Sequence, residues 1–136
     1  MTDASSRLEA ADVMIQYAAC IDDRDFDGYR ACFAPDVELI GFGADPIRGV
    51  DAWVEFVHKA LEPYTATQHM LGPPQVQLRG EERADLRTDL QAQHFLREPR
   101  GQIFSLWGTY RTSLARTEGR WAIVRHELQV RSVRTG

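Results

Sequence analysis

Only two of the 136 residues are cysteine, Cys20 and Cys32, and they lack Cys-x-x-Cys spacing. That argues against a disulfide framework or a zinc knuckle and leaves two thiols that pack as small hydrophobes, their ordinary state in the cytosol. Long apolar runs are also missing. None approaches membrane-spanning length, and Met1 to Arg7 carries no signal-like apolar segment. A soluble, cytoplasmic chain with no membrane partner is the expectation. Basic charge is scarce as well: 16 Lys plus Arg stand against 20 Asp plus Glu, a formal net charge of −4. Nucleic-acid binding selects a basic face, so that class of partner is set aside. Glycine-rich phosphate loops and nucleophile elbows are absent, which removes dinucleotide and serine-hydrolase chemistry. A metal centre has little behind it, because there is no His-x-x-x-His pair and Glu55-x-x-His58 lies off the apolar side of its segment. Neither cofactor nor metal is expected.

What is present reads as one domain over residues 1–136, with no repeat, linker or low-complexity tract. Ser6-x-x-Glu9 has the form of a capping box. Behind it Leu8, Ala11, Ile15, Ala18 and Asp22 recur at three- and four-residue intervals, which defines one helical face. Asp25 caps a short second helix reaching Phe33, with Phe26, Tyr29 and Phe33 on one side, and Ala34-Pro35-Asp36 closes it. Val37 to Phe42 reads as a strand. Val50, Trp53, Val54, Val57 and Leu61 stripe a third helix, widened by Phe56 and stopped before Pro63. From Tyr64 onward the pattern is extended: Thr65 to Leu71, Val76 to Arg79, Arg83 to Phe95, Gln102 to Ala115 and Arg120 to Val133, with turns such as Glu118-Gly119 between them. Helices first and strands afterwards indicate an α+β fold with helices on one face of a curved, mostly antiparallel sheet.

This order resembles the SnoaL-like branch of the NTF2-like superfamily. The residues that carry the likeness are Tyr17 to Asp27 at the end of the first helix, Phe33-Ala34-Pro35-Asp36 before the first strand, and Arg48-Gly49-Val50-Asp51-Ala52 opening the third helix. Thr67-Gln68-His69, Gly108-Thr109-Tyr110 and Gly119-Arg120-Trp121-Ala122-Ile123 complete it. Together they cover nearly the whole chain. The resemblance implies a cone-shaped fold of three N-terminal helices on a curved sheet, free of cofactors. The Asp22…His69 spacing is most similar to members that eliminate across a carbon–carbon bond: scytalone dehydratase, bile-acid 7α-dehydratase and hexachlorocyclohexane dehydrochlorinase. Tyr17 matches the position where the bile-acid enzyme carries a functional tyrosine. The Asn and Arg/Asp set of limonene epoxide hydrolase has no counterpart.

Each candidate residue has a functional and a plain structural reading. Asp22 closes an apolar stripe and so faces the interior, where a carboxylate needs a partner; alternatively, fraying lets it reach solvent beside Asp23. His69 alternates with Thr67 and Leu71 and is the side chain best suited to take a proton near neutrality; alone it reads as a satisfied core histidine. A carboxylate on its Nδ1–H would leave Nε2 as the base. Tyr17 is about 140° around the helix from Asp22, so it either flanks the same pocket as a donor or simply packs. In the strand after Arg83, His94 is in phase with Ala84, Leu86, Leu90 and Ala92, whereas Asp89 is in phase with Arg87, Gln91 and Gln93. Alternation therefore favours His94 as the pocket residue unless a bulge intervenes. Trp53, Phe56 and Tyr110 are read as substrate-contacting walls, and Arg125 as an anion holder or an exposed ion pair.

The function expected is a cofactor-independent lyase of dehydratase type, acting on a cyclic, polyketide- or steroid-like molecule through Asp22, His69, Tyr17 and His94. In that reading Tyr17 and His94 donate to a leaving oxygen or a developing enolate. Isomerisation or cyclisation by the same proton abstraction, or a non-catalytic binding module on the same fold, are the alternatives. A homodimer or homotrimer formed through the helix-free sheet face is expected from the mixed polarity of Arg87, Gln91, Trp107 and Arg111.

Overall fold

The computed structural model describes residues 2–136. Helix α1 spans Asp3–Asp22 and is capped by Thr2, whose side chain accepts from the Ser5 N–H at 3.1 Å. Ser6 and Glu9 thus lie inside the helix, and the expected capping box is replaced by a cap four residues earlier. The buried face of α1 is Ala10, Met14, Tyr17, Ala18 and Ile21. Leu8 and Ile15 of the expected stripe are 68% and 55% exposed. Apolar residues ring this helix on both sides, so spacing alone does not choose a face; docking against the sheet does.

Helix α2 is the single-turn Phe26–Arg30, with Asp25 accepting from the Gly28 N–H at 2.9 Å. Strand β1, Phe33–Ile40, begins earlier than Pro35 suggested. Its pairing with the last strand shifts register between Phe33 and Glu38, so proline occupies an irregular stretch where no ladder bond is lost. Then follow β2 (Ile47–Arg48), α3 (Val50–Ala60), β3 (Tyr64–Leu71), β4 (Gln75–Arg79), β5 (Arg83–Leu96), β6 (Ile103–Thr117) and β7 (Arg120–Thr135).

The strands form one sheet in the order β2-β1-β7-β6-β5-β3, with β4 also pairing β5. All pairs are antiparallel except β1 with β7. Three helices pack on this curved, unclosed mixed sheet as an α+β cone. Helix α1 lies against β3, β4 and β7, and α3 against β1. The core between the layers includes Met14, Tyr17, Tyr29, Trp53, Leu114 and Ile123, each almost fully buried. Burial of each such side chain contributes roughly 1.5–3 kcal/mol.

Two backbone features shape the site. Gly41 follows β1 with φ +88°, and a Cβ there would collide with the Leu128 carbonyl oxygen. Only glycine permits that approach of the chain to β7. In β7, Ser113 faces Arg125 while Leu114 faces Ile123, which leaves Val124 as an extra residue. This bulge reverses the inward phase of the strand, from Trp121 and Ile123 to His126.

Candidate active site

Asp22 ends α1, and β3 runs past it. Its Oδ2 accepts from the backbone N–H of His69 at 2.7 Å, and its Oδ1 lies 2.8 Å from the His69 ring Nδ1. The Thr67 hydroxyl donates to the same Oδ1 at 3.0 Å and itself accepts from Arg24 Nη1 at 2.8 Å. Arg24 turns the chain out of α1 with φ 58° and also donates to the Ile21 carbonyl at 2.7 Å. The two side chains are largely enclosed, 19% exposed for Asp22 and 11% for His69. Burial pushes the Asp22 carboxyl toward protonation, but the His69 ring, the His69 backbone N–H and the Thr67 hydroxyl together hold it below the usual carboxylate range. An ionised Asp22 can only accept, so His69 Nδ1 carries a hydrogen, and in the neutral ring Nε2 has the lone pair.

That ring lines a cavity of about 250 Å³ between the helices and the inner sheet face. The walls are mostly apolar and aromatic: Tyr17, Trp53, Phe56, Tyr110, Phe104 and Leu106 are among them. Asp22 is absent from the lining and stands behind His69. The residues read from the sequence as pocket walls, Trp53, Phe56 and Tyr110, all border this space.

His94 borders the cavity too, 5.8 Å from the His69 ring, while Asp89 is exposed on the opposite face and bonded by Thr109 at 2.7 Å. The His94 Nδ1 lies 3.0 Å from the Phe104 carbonyl, which can only accept. Burial lowers the His94 pKa, so the ring is neutral, its hydrogen is committed to Phe104, and Nε2 carries a lone pair. In the neutral ring its free nitrogen accepts, whereas the sequence reading gave His94 a donor role.

Tyr17 is fully enclosed at the base of the cavity. Its hydroxyl lies 3.1 Å from Nε2 of His126, and the His126 Nδ1 lies 2.8 Å from the Thr112 hydroxyl. Desolvation raises the Tyr17 pKa well above its ordinary value and drives that of His126 down to about 3. Both are therefore neutral across the physiological range. The Tyr29 hydroxyl stands beside that of Tyr17 and accepts from Trp53 Nε1 at 3.2 Å.

Arg125 does not belong to the cavity. Its side chain is 46% exposed on the outer sheet face and pairs with Glu38 and Glu127, both at 3.6 Å. The inward residue is its neighbour His126, which sequence reading missed. The period-two alternation through Trp121 and Ile123 points to Arg125, and only the extra residue at Val124 makes it wrong. Tyr29 and Thr67 were seen in the sequence, but nothing in their spacing marked a role at the site.

The SnoaL-like domain family matches residues 2–127, and the chain belongs to that family, within the NTF2-like superfamily. Its fold is similar to a protein assigned as a scytalone dehydratase from Novosphingobium aromaticivorans, with TM-score 0.89 and 20% identity over 97% of this chain and 88% of that one. A hexachlorocyclohexane dehydrochlorinase (LinA, type 2) superposes with TM-score 0.88 and 16% identity, over 98% and 90% of the two chains. A protein assigned as an aromatic ring hydroxylase, also from N. aromaticivorans, gives TM-score 0.88 and 22% identity, over 100% and 96%. At these identities the likeness is one of fold. No curated protein sequence matches the chain. Among the described residues, no helix is long and apolar enough to cross a membrane.

Proposed function

We propose that this chain is a cofactor-independent lyase that removes a proton from carbon in a small, largely apolar ring compound and expels a leaving group from the neighbouring carbon. The observation that carries the reading is His69: its Nδ1 is tied to Asp22 at 2.8 Å while its ring borders an apolar cavity of about 250 Å³. His69 Nε2 takes the proton, and the Asp22 carboxylate stabilises the imidazolium that results. The electron pair of the broken C–H bond forms the new double bond, and the leaving oxygen departs with its bonding pair. Tyr17, a neutral phenol at the cavity base, supplies a hydrogen bond to the leaving oxygen, which takes the proton held on His69 and departs as water. A positioned base contributes a rate factor of roughly 10²–10⁴.

Isomerisation uses the same first step and differs only in where the proton returns. A binding module without chemistry would have little use for a base held at two points by a carboxylate, and the open cavity supports the catalytic reading over it. The test is to incubate purified protein with a panel of β-hydroxy cyclic ketones and follow the conjugated product by its ultraviolet absorption. Turnover that disappears in His69→Ala supports the proposal. Binding of panel members without turnover, equal in wild type and His69→Ala, would favour the module.

A further inference from the structure

Arg24 follows Asp23, the C-cap of α1, with φ 58°, the left-handed position at which helices usually carry glycine. The backbone closes this turn without any side chain: the Asp25 N–H donates to the Cys20 carbonyl at 2.8 Å and the Arg24 N–H to the Ile21 carbonyl at 3.2 Å. A second burden falls on the same residue, because the guanidinium Nη2 is enclosed with no hydrogen-bond partner among the described residues. A strained backbone and an unmet donor coincide at one position, which points to a use for its side chain. Nη1 supplies that use. It donates to the Thr67 hydroxyl at 2.8 Å and to the Ile21 carbonyl at 2.7 Å, joining the end of α1, which carries Asp22, to β3, which carries His69. A guanidinium can only donate, so the Thr67 oxygen accepts from it and the Thr67 hydrogen goes to Asp22 Oδ1 at 3.0 Å. Asp22 also accepts from the ring Nδ1 and the backbone N–H of His69. Three donors thus meet one carboxylate, and a cation stands one hydroxyl behind it. Burial lowers the Arg24 pKa, and the Asp22 charge opposes that shift.

We infer that Arg24 is a positioning residue for the Asp22–His69 pair: it fixes the direction of the Thr67 hydroxyl and offsets the carboxylate charge, so that Asp22 stays ionised and holds the His69 Nδ1–H. The charges of Arg24 and Asp22 cancel in the resting site, which lets a neutral His69 stand beside a largely enclosed carboxylate. Without Arg24 that carboxylate would be uncompensated, and the Thr67 hydroxyl would be free to turn its hydrogen elsewhere. Lysine keeps the charge but not the planar, delocalised head that fits between Thr67 and Ile21, so it replaces Arg24 only in part. The effect of Arg24 on turnover rests on the lyase reading. The order of hydrogen bonds from Arg24 through Thr67 to Asp22 and His69 stands without it.

The experiment is Arg24→Gly, with and without guanidinium chloride at a non-denaturing concentration. Glycine suits φ 58°, so a residue needed only for the turn would be replaced with the melting temperature and turnover both retained. On a β-hydroxy cyclic ketone, kcat is expected to fall about 10-fold or more with KM nearly unchanged, and to recover in part with guanidinium or in Arg24→Lys. In a Thr67→Val background the same change should add little, because Arg24 acts through Thr67. Independently of turnover, ¹H–¹⁵N correlation of the His69 ring should show the Nδ1–H resonance displaced in Arg24→Gly and moved back by guanidinium. A resonance identical in wild type and Arg24→Gly, or a loss of kcat that multiplies in full with that of Thr67→Val, would overturn the inference. Should the glycine variant fail to fold, Arg24→Gln, which removes the charge, is read by the same resonance. A displaced resonance in a protein that turns over no ketone of the panel would keep this assignment and remove the lyase mechanism.

Discussion

The Asp22 carboxylate holds His69 at two points, by the backbone N–H at 2.7 Å and by the ring Nδ1 at 2.8 Å. Side chain and backbone of His69 are therefore fixed by one group, and the ring cannot turn about its χ angles without giving up a bond to a charged acceptor. Bonds to charged groups are worth about 1.5–3 kcal/mol each, which is enough to select one tautomer and one orientation.

Thr67 is the outer brace of this arrangement. It donates to Asp22 Oδ1 at 3.0 Å, accepts from Arg24 at 2.8 Å and does not border the cavity. Thr67→Val keeps the shape and removes the donor, so kcat is expected to fall about 5- to 10-fold, equivalent to about 1–1.4 kcal/mol, with KM nearly unchanged. Steady-state kinetics on any substrate found by the ketone panel checks this. A change confined to KM would mean that Thr67 acts on binding and not on the base.

Acid sensitivity follows from groups whose pKa lies below its ordinary value in the folded chain. For His126, burial lowers it to about 3, against about 6.5 when unfolded. Between those values the unfolded chain binds a proton that the folded chain refuses, so stability is full above about pH 6.5 and declines as pH falls. The slope is about 1.4 kcal/mol per pH unit for one such group. His94 acts in the same direction just below its usual range, and Asp22 does so below the carboxylate range. Urea midpoints measured from about pH 7.5 down to 4.5 should fall, and His126→Gln should flatten the decline. A wild-type curve level between about pH 6.5 and 4.5 would contradict the burial of a neutral His126.

How much of this was legible beforehand depends on how much each residue's neighbours constrain it. The long strands were, because Ala84, Leu86, Leu90 and Ala92 alternate cleanly and carry His94 to the inner face with them. The third helix was, because Trp53 and Val57 sit on one apolar side only. The first helix was not: Ala11 and Ile15 are as apolar as Ala10 and Met14, and only the sheet decides between them. The stripe that ends on Asp22 has Leu8 and Ile15 exposed and Ala18 buried, so it straddles the edge of the docked face, although Asp22 does reach His69. In β7 a single extra residue, Val124, moved the inward position from Arg125 to His126. Bulges arise from pairing between strands, and local alternation cannot reveal them.

The outer face of β5 and β6 carries Arg87, Asp89, Gln91, Trp107 and Arg111 and is covered by no helix. Charges of both signs around an aromatic side chain suit a wet interface between copies of the chain. Light scattering at micromolar concentration is expected to give a dimer or trimer of the 15.5 kDa chain. Trp107→Arg should shift it toward the monomer. A 15.5 kDa species alone in the wild type would refute the assembly.

The proposed elimination requires Asp22 and His69 to work as one unit, which a double-mutant cycle on the turnover of a β-hydroxy cyclic ketone measures directly. Asp22→Asn should leave the fold intact and lower kcat by roughly 10²-fold or more, because the imidazolium loses its charged partner. His69→Ala should cost a similar factor, and the double variant little more than either alone, since groups that act together are not additive. Two single variants that each keep near wild-type turnover, or losses that simply multiply in the double variant, would contradict it.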